Sequence, residues 1–156
     1  MGFKFGNSSK TKLETCHEDL QTVLHLAISR SRIDFGITEG HRSLERQKQL
    51  FNEGRSKIDG VKKKGKHNSN PSMAADIYIY HPDPDTRSKL AYDKPSLCYI
   101  AGVVISCAGE LLEKGEITHT IRWGGNWDKD GVILQDQSFD DLPHFELVGV
   151  EKQPGE

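Results

Sequence analysis

The run Asp93-Lys94-Pro95-Ser96-Leu97, continuing through Ile100, Ala101, Val104, Ala108, Leu111 and Leu112 to Gly115, is followed at once by Thr120-Ile121-Arg122-Trp123. Its apolar residues recur three and four apart, the spacing of a helix with one buried face. Asp93 can cap this helix, Pro95 suits its first turn and Gly115 closes it. Toward the N-terminus, Leu13, Leu20, Val23, Leu24, Ala27 and Ile28 share that spacing and predict a first amphipathic helix. Ser43 is expected to cap a second helix through Leu44, Leu50 and Phe51, stopped by Gly54. Short strands are predicted at 35–38, 75–80, 120–123 and 144–147. With helices early and mid-chain and strands few and mostly late, the pattern gives an α+β fold. Three main helices are expected beside a small, mainly antiparallel sheet.

Composition narrows the classes. A chain of 156 residues suits one domain, read here as 1–156 with a short polar tail from Lys152. Mean hydropathy is −0.62, and no run approaches the ~18 apolar residues of a membrane span, so no membrane insertion is expected. Basic residues number 21 against 23 acidic ones, which argues against an electrostatically driven nucleic-acid binder. Cys16, Cys98 and Cys107 are odd in number and form no C-x-x-C pair, so they read as small hydrophobes. The first residues, Met1-Gly2-Phe3-Lys4-Phe5-Gly6, lack the apolar stretch of a signal peptide, and Gly6 is not the Ser or Thr of a myristoylation signal. Synthesis in a cytoplasm is expected.

Of seven histidines, His17, His25, His81 and His119 suggest no ligand role by themselves. His67 and His144 come with carboxylates. Asp76 follows His67 and opens an apolar strand, where an acid is costly unless paired or metal-bound. Asp141 lies three residues before His144, and Glu146 shares the strand face of His144. Two histidines and a carboxylate with a vacant fourth position can make a catalytic zinc site, and a further carboxylate can take a proton from water. Ordinary ion pairing is the alternative.

At these residues the chain resembles the M15 family of zinc peptidases, which includes D-Ala-D-Ala carboxypeptidases and dipeptidases and the phage L-alanyl-D-glutamate endopeptidases. The family's S-x-H-x-x-G-x-A-x-D motif is matched by Gly65-Lys66-His67 and Ser72-Met73-Ala74-Ala75-Asp76, with two extra residues between them and Gly65 and Ser72 replacing Ser and Gly. Asp141-Leu142-Pro143-His144 matches the second motif. Gly40-His41-Arg42-Ser43, Gln47 and Gly54-Arg55-Ser56 resemble the family's G-x-R, Q and G-x-S segment. Leu13-Glu14-Thr15-Cys16-His17-Glu18-Asp19-Leu20, Arg122-Trp123-Gly124-Gly125-Asn126-Trp127-Asp128 and Phe139–Leu147 resemble the endolysin branch.

The resemblance covers about 8–150 and implies no separate wall-binding domain, a hedgehog/DD-peptidase-like fold, and Zn²⁺ on His67, Asp76 and His144. It implies Asp141 as general base, with Asp140 the alternative, and Arg42 for an oxyanion or substrate carboxylate. Glu146, on the strand face of His144, is read from that placement as orienting it. The substrate would be bacterial peptidoglycan, cut at L-Ala–D-Glu by a monomer made in the host cytoplasm and released to the wall through a holin pore. D-Ala-D-Ala carboxypeptidase or dipeptidase activity, or a non-catalytic zinc-stabilised wall-binding module, are the rivals. A non-metal hydrolase is the least favoured reading, since no G-x-S-x-G elbow occurs and no cysteine has an evident histidine partner. Lys62, Lys63, Lys64 and Lys66 could attract acidic wall polymers, and Trp123 and Trp127 could line the groove or join the core. Asn126, Asp128 and Asp130 alternate oxygen donors as at the start of a calcium loop. Gln137 stands at the twelfth position, so the choice is an irregular Ca²⁺ site or a polar turn.

Overall fold

The computed structural model describes residues 2–56, 65–126, 129 and 141–149. Helix α1 (Asn7–Leu13) and helix α2 (Glu18–Arg30) precede strand β1 (Phe35–Glu39) and helix α3 (Leu44–Asn52). A 3₁₀ turn (Lys66–Asn68) leads into β2 (Ala74–Ile79). Helices α4 (Pro84–Leu90) and α5 (Lys94–Glu113) then lead to β3 (His119–Gly124) and β4 (Asp141–Gly149).

The caps fall where the sequence places them. Ser43 accepts from the Arg46 amide, Asp93 from the Ser96 amide, and Gly54 and Gly115 both take φ +73° beyond their helices. Two short helices, α1 and α4, join the three expected ones. The predicted first helix is divided, because residues 14–17 do other work. The Cys16 backbone bridges to Ser72, with the His17 amide donating to Ser72 O (2.8 Å) and the Ser72 amide to Thr15 O (2.9 Å). Leu13 therefore belongs to α1, and His17 caps α2 by accepting from the Asp19 amide.

All four strands pair antiparallel in the order β1-β2-β4-β3. Alternation gives the sheet two faces. Ala75, Ile77, Ile79, Ile121, Trp123, Phe145 and Leu147 join one core with Leu20, Val23, Leu24, Ala27 and Ile28 of α2 and Leu97, Ile100, Ala101 and Val104 of α5. Helix α5 is long and apolar enough to cross a membrane by length and composition, yet seven of its residues are buried against this core. The other sheet face carries Asp76, His144, Glu146 and Arg122, aligned by the pairs Asp76↔His144 and Arg122↔Glu146. Strand β1 would turn Glu39 toward the core by simple alternation. A register shift between Ile37 and Glu39 instead sets Glu39 beside Asp76. Trp123 is core, 3% exposed, and its indole donates to Leu142 O; Trp127 lies outside the described residues.

Two glycines hold the polar face in place. A Cβ on Gly124 would lie 2.0 Å from Asp141 O, so only glycine lets β3 approach the start of β4. A Cβ on Gly40 would lie 2.4 Å from Lys12 O and 2.5 Å from Thr15 Oγ1. Gly40→Ala is expected to cost about 1–3 kcal/mol through overpacking against backbone. Denaturant unfolding measures this, and an unchanged midpoint would contradict the close approach.

Candidate metal centre

His67 comes from the 3₁₀ turn, which is stitched to the segment before α3. The Arg42 amide donates to His67 O (2.7 Å), Asn68 Nδ2 to Arg42 O (3.0 Å), and the Gly65 amide to Asn68 Oδ1 (2.9 Å). The two extra residues before Ser72 do not displace Asp76. Ser72 is wholly buried and pinned to Cys16, while its hydroxyl donates to Ala74 O and accepts from the Ala74 amide. Strand β2 begins at Ala74, two residues before Asp76.

Three side chains from these elements converge. His67 Nε2 lies 3.3 Å from Asp76 Oδ2 and 3.3 Å from His144 Nδ1, and His144 Nδ1 lies 3.1 Å from Asp76 Oδ1. The outer ring nitrogens fix the tautomers. His67 Nδ1 is 2.7 Å from Gly40 O, which can only accept, so Nδ1 carries the hydrogen and Nε2 a lone pair. His144 Nε2 is 2.9 Å from Glu146 Oε1 and donates to it, which leaves a lone pair on Nδ1. In the neutral rings two imidazole lone pairs and a carboxylate thus face one another, an arrangement that a proton or a metal cation completes. Burial opposes charge on His144, but Asp76 and Glu146 outweigh it and push its pKa up to about 10. Burial likewise opposes charge on Asp76, and the two imidazoles still hold it well below the usual carboxylate range. A tetrahedral ion with bonds of about 2.0–2.1 Å has ligand–ligand edges of roughly 3.3 Å. The observed separations of 3.1–3.3 Å fit Zn²⁺.

The trio opens on a cleft of about 710 Å³ whose wall includes Arg42, Arg46, Arg55, Lys66, Tyr92, Arg122 and Asp141. Asp141 Oδ2 stands 3.9 Å from His144 Nδ1. Burial, then the charge of Asp76, raises the Asp141 carboxyl above its ordinary pKa. Arg42 is tied to the trio and to its neighbours. It forks onto Glu39 (Nε–Oε1 3.0 Å, Nη2–Oε2 2.8 Å), donates to Gln47 Oε1 (2.8 Å) and reaches Asp76 Oδ2 at 3.5 Å. Sequence reading passed over Glu39. Its signal was an acid ending an apolar strand directly before Gly40-His41-Arg42. Lys62, Lys63, Lys64, Asp140, Asp128 and Asp130 lie outside the described residues, so of the calcium trio only Asn126 is described.

A second group, His17, Asp19 and His119, also brings three ligand atoms within 4.8 Å of one another. Here Asp19 Oδ2 and His17 Nδ1 are already engaged in hydrogen bonds. Asp19 Oδ2 accepts from the Thr118 amide (3.0 Å), the His119 amide (3.2 Å) and His119 Nδ1 (2.7 Å). His17 Nδ1 accepts from the Asp19 amide (3.0 Å). Against the desolvation of burial, the His119 and Thr118 hydrogen bonds keep the Asp19 carboxyl below its ordinary pKa. This group latches α2 to β3.

Three ligand atoms, an adjoining acid and an open cleft form the constellation of a metal-dependent hydrolase. Residues 1–148 match the family model for phage L-alanyl-D-glutamate peptidase, and the chain belongs to that family; it is a peptidase. The peptidoglycan L-alanyl-D-glutamate endopeptidase CwlK of Bacillus subtilis (strain 168) is 28% identical over 131 residues, covering 81% of this chain and 68% of that protein. The crystal structure of Serratia marcescens L-Ala D-Glu endopeptidase ChiX shares the fold with a TM-score of 0.70 at 24% identity, over 94% of this chain and 91% of that one. Asp19→Ala strands the Thr118 and His119 amides and is expected to cost about 2 kcal/mol. Chemical denaturation should show this loss, and metal analysis should show unchanged metal content.

Proposed function

We propose that this peptidase hydrolyses the L-Ala–D-Glu bond of peptidoglycan stem peptides, with Zn²⁺ held by His67, Asp76 and His144. The observation that carries the reading is the convergence of two imidazole lone pairs and one carboxylate at 3.1–3.3 Å. Zinc bound there supplies Lewis acidity toward the scissile carbonyl and lowers the pKa of water to roughly 7. Asp141 is the general base. It lines the cleft beside the trio, and its raised pKa makes it a better proton acceptor than an exposed carboxylate. It accepts the proton of the attacking water and delivers it to the amine of D-Glu as the C–N bond breaks. Arg42, held by Glu39 and Gln47, steadies Asp76 and presents positive charge to the cleft, where an oxyanion or a substrate carboxylate is stabilised.

Arg46 and Lys66 on the cleft wall suit an acidic stem peptide, while Arg42 and Arg122 are paired with Glu39 and Glu146. Family membership and the CwlK and ChiX likenesses support the same substrate. In this reading the whole chain is one catalytic unit, acts as a monomer on the wall, and reaches it from the host cytoplasm through a holin-type pore.

Digestion of isolated walls followed by fragment mass spectrometry is expected to yield new L-Ala carboxyl termini and D-Glu amino termini. Released D-Ala would replace this reading with carboxypeptidase or dipeptidase activity. A chelator should abolish cleavage and added zinc should restore it. Asp141→Ala is expected to keep one zinc per chain and to lose at least about 10²-fold in turnover. Undiminished turnover would remove Asp141 from its role.

A further inference from the structure

We propose that Arg122 and Glu146 are positioning residues that lock His144 in the tautomer offering Nδ1 to the metal, and so set the zinc affinity of the centre. The inference rests on the zinc reading above and deepens it.

Glu146 stands two residues beyond His144 on β4, so the two side chains point the same way. Across the sheet, register pairs Glu146 with Arg122 on β3 and with Ala74 on β2. The methyl group of Ala74 cannot hydrogen-bond to the carboxylate, whereas Arg122 can. Both oxygens of Glu146 are engaged: Oε1 accepts from His144 Nε2 at 2.9 Å, and Oε2 from Arg122 Nη2 at 2.8 Å.

Glu146 is only 5% exposed, a position where an ionised carboxylate is costly unless it is paired and hydrogen-bonded. Arg122 provides the pairing through Nη2, and so acts on the centre through Glu146. An ionised Glu146 accepts only, which places the hydrogen on His144 Nε2 and the lone pair on Nδ1, and its charge makes that lone pair more basic. Without this carboxylate the ring can carry its hydrogen on Nδ1 and turn the wrong nitrogen outward.

The test uses the full chain, stripped of metal and reloaded with zinc in competition with a chromophoric chelator. Glu146→Gln is expected to weaken zinc binding about 10–100-fold, the usual loss when a partner behind a metal ligand is removed. Arg122→Ala is expected to weaken it about tenfold, and Arg122→Lys to recover most of that. The Arg122→Ala change should add little in the Glu146→Gln background, because both act along one chain of contacts. Nitrogen-15 NMR of the imidazoles should show His144 with hydrogen on Nε2 in the zinc-loaded protein.

Far-UV circular dichroism of each metal-free variant separates lost affinity from lost fold. Arg122, whose side chain is 36% exposed, is the position that tolerates truncation if the Glu146 variant unfolds. Folded Glu146→Gln and Arg122→Ala proteins binding zinc within twofold of the parent would overturn the inference while leaving the zinc reading intact. Fully additive effects would also overturn it, since Arg122 would then act independently. A parent chain that takes up no zinc would remove both.

Discussion

The antiparallel register of β2 on β4 sets Asp76 directly opposite His144, and the rest of the polar face depends on it. Side chains alternate along a strand, so a slip of one residue would drive Asp76 and His144 into the core and turn Ala75 and Phe145 out. The apolar side prevents that slip. Ala75, Ile77, Phe145 and Leu147 are completely buried beneath α2 and α5. Hydrophobic burial on one face therefore holds the polar constellation on the other, and the site's precision derives from the core.

His67 lies off the sheet and needs its own tether. That tether is Gly40 O on its outer ring nitrogen, together with the paired backbone contacts between His67 and Arg42. Gly40 itself is wedged against Lys12 and Thr15, so the end of α1, the end of β1 and the 3₁₀ turn form one packed unit. The irregularity in β1 completes it, since Glu39 reaches the site face only by departing from alternation. Each histidine thus has one nitrogen committed to a fixed acceptor and one directed inward. In the neutral rings the outward hydrogen bonds leave the lone pairs on the inward nitrogens.

The sequence made the helices and strands legible where local chemistry is strong. Asp93, Ser43, Gly54 and Gly115 mark real helix ends, and the four strand segments are all strands. It misled at residues 14–17, where helical spacing from Leu13 to Leu20 continued across a break caused by a bridge to Ser72, remote in sequence. His67, Asp76, His144 and Asp141 were legible because their residue types resemble an ordered family motif. Glu39 was not, because its role depends on a strand irregularity that no spacing reveals. The latch of His17, Asp19 and His119 was equally hidden, since it joins residues about a hundred positions apart.

The central claim is that two imidazoles and one carboxylate share one zinc ion with a position left for water. X-ray absorption at the zinc edge of the reconstituted protein tests it most directly. The account predicts four nitrogen or oxygen neighbours at about 2.0–2.1 Å with outer-shell scattering from two imidazoles, reduced to one imidazole in His144→Ala. A sulfur neighbour at about 2.3 Å, or an imidazole count unchanged by that substitution, would contradict it.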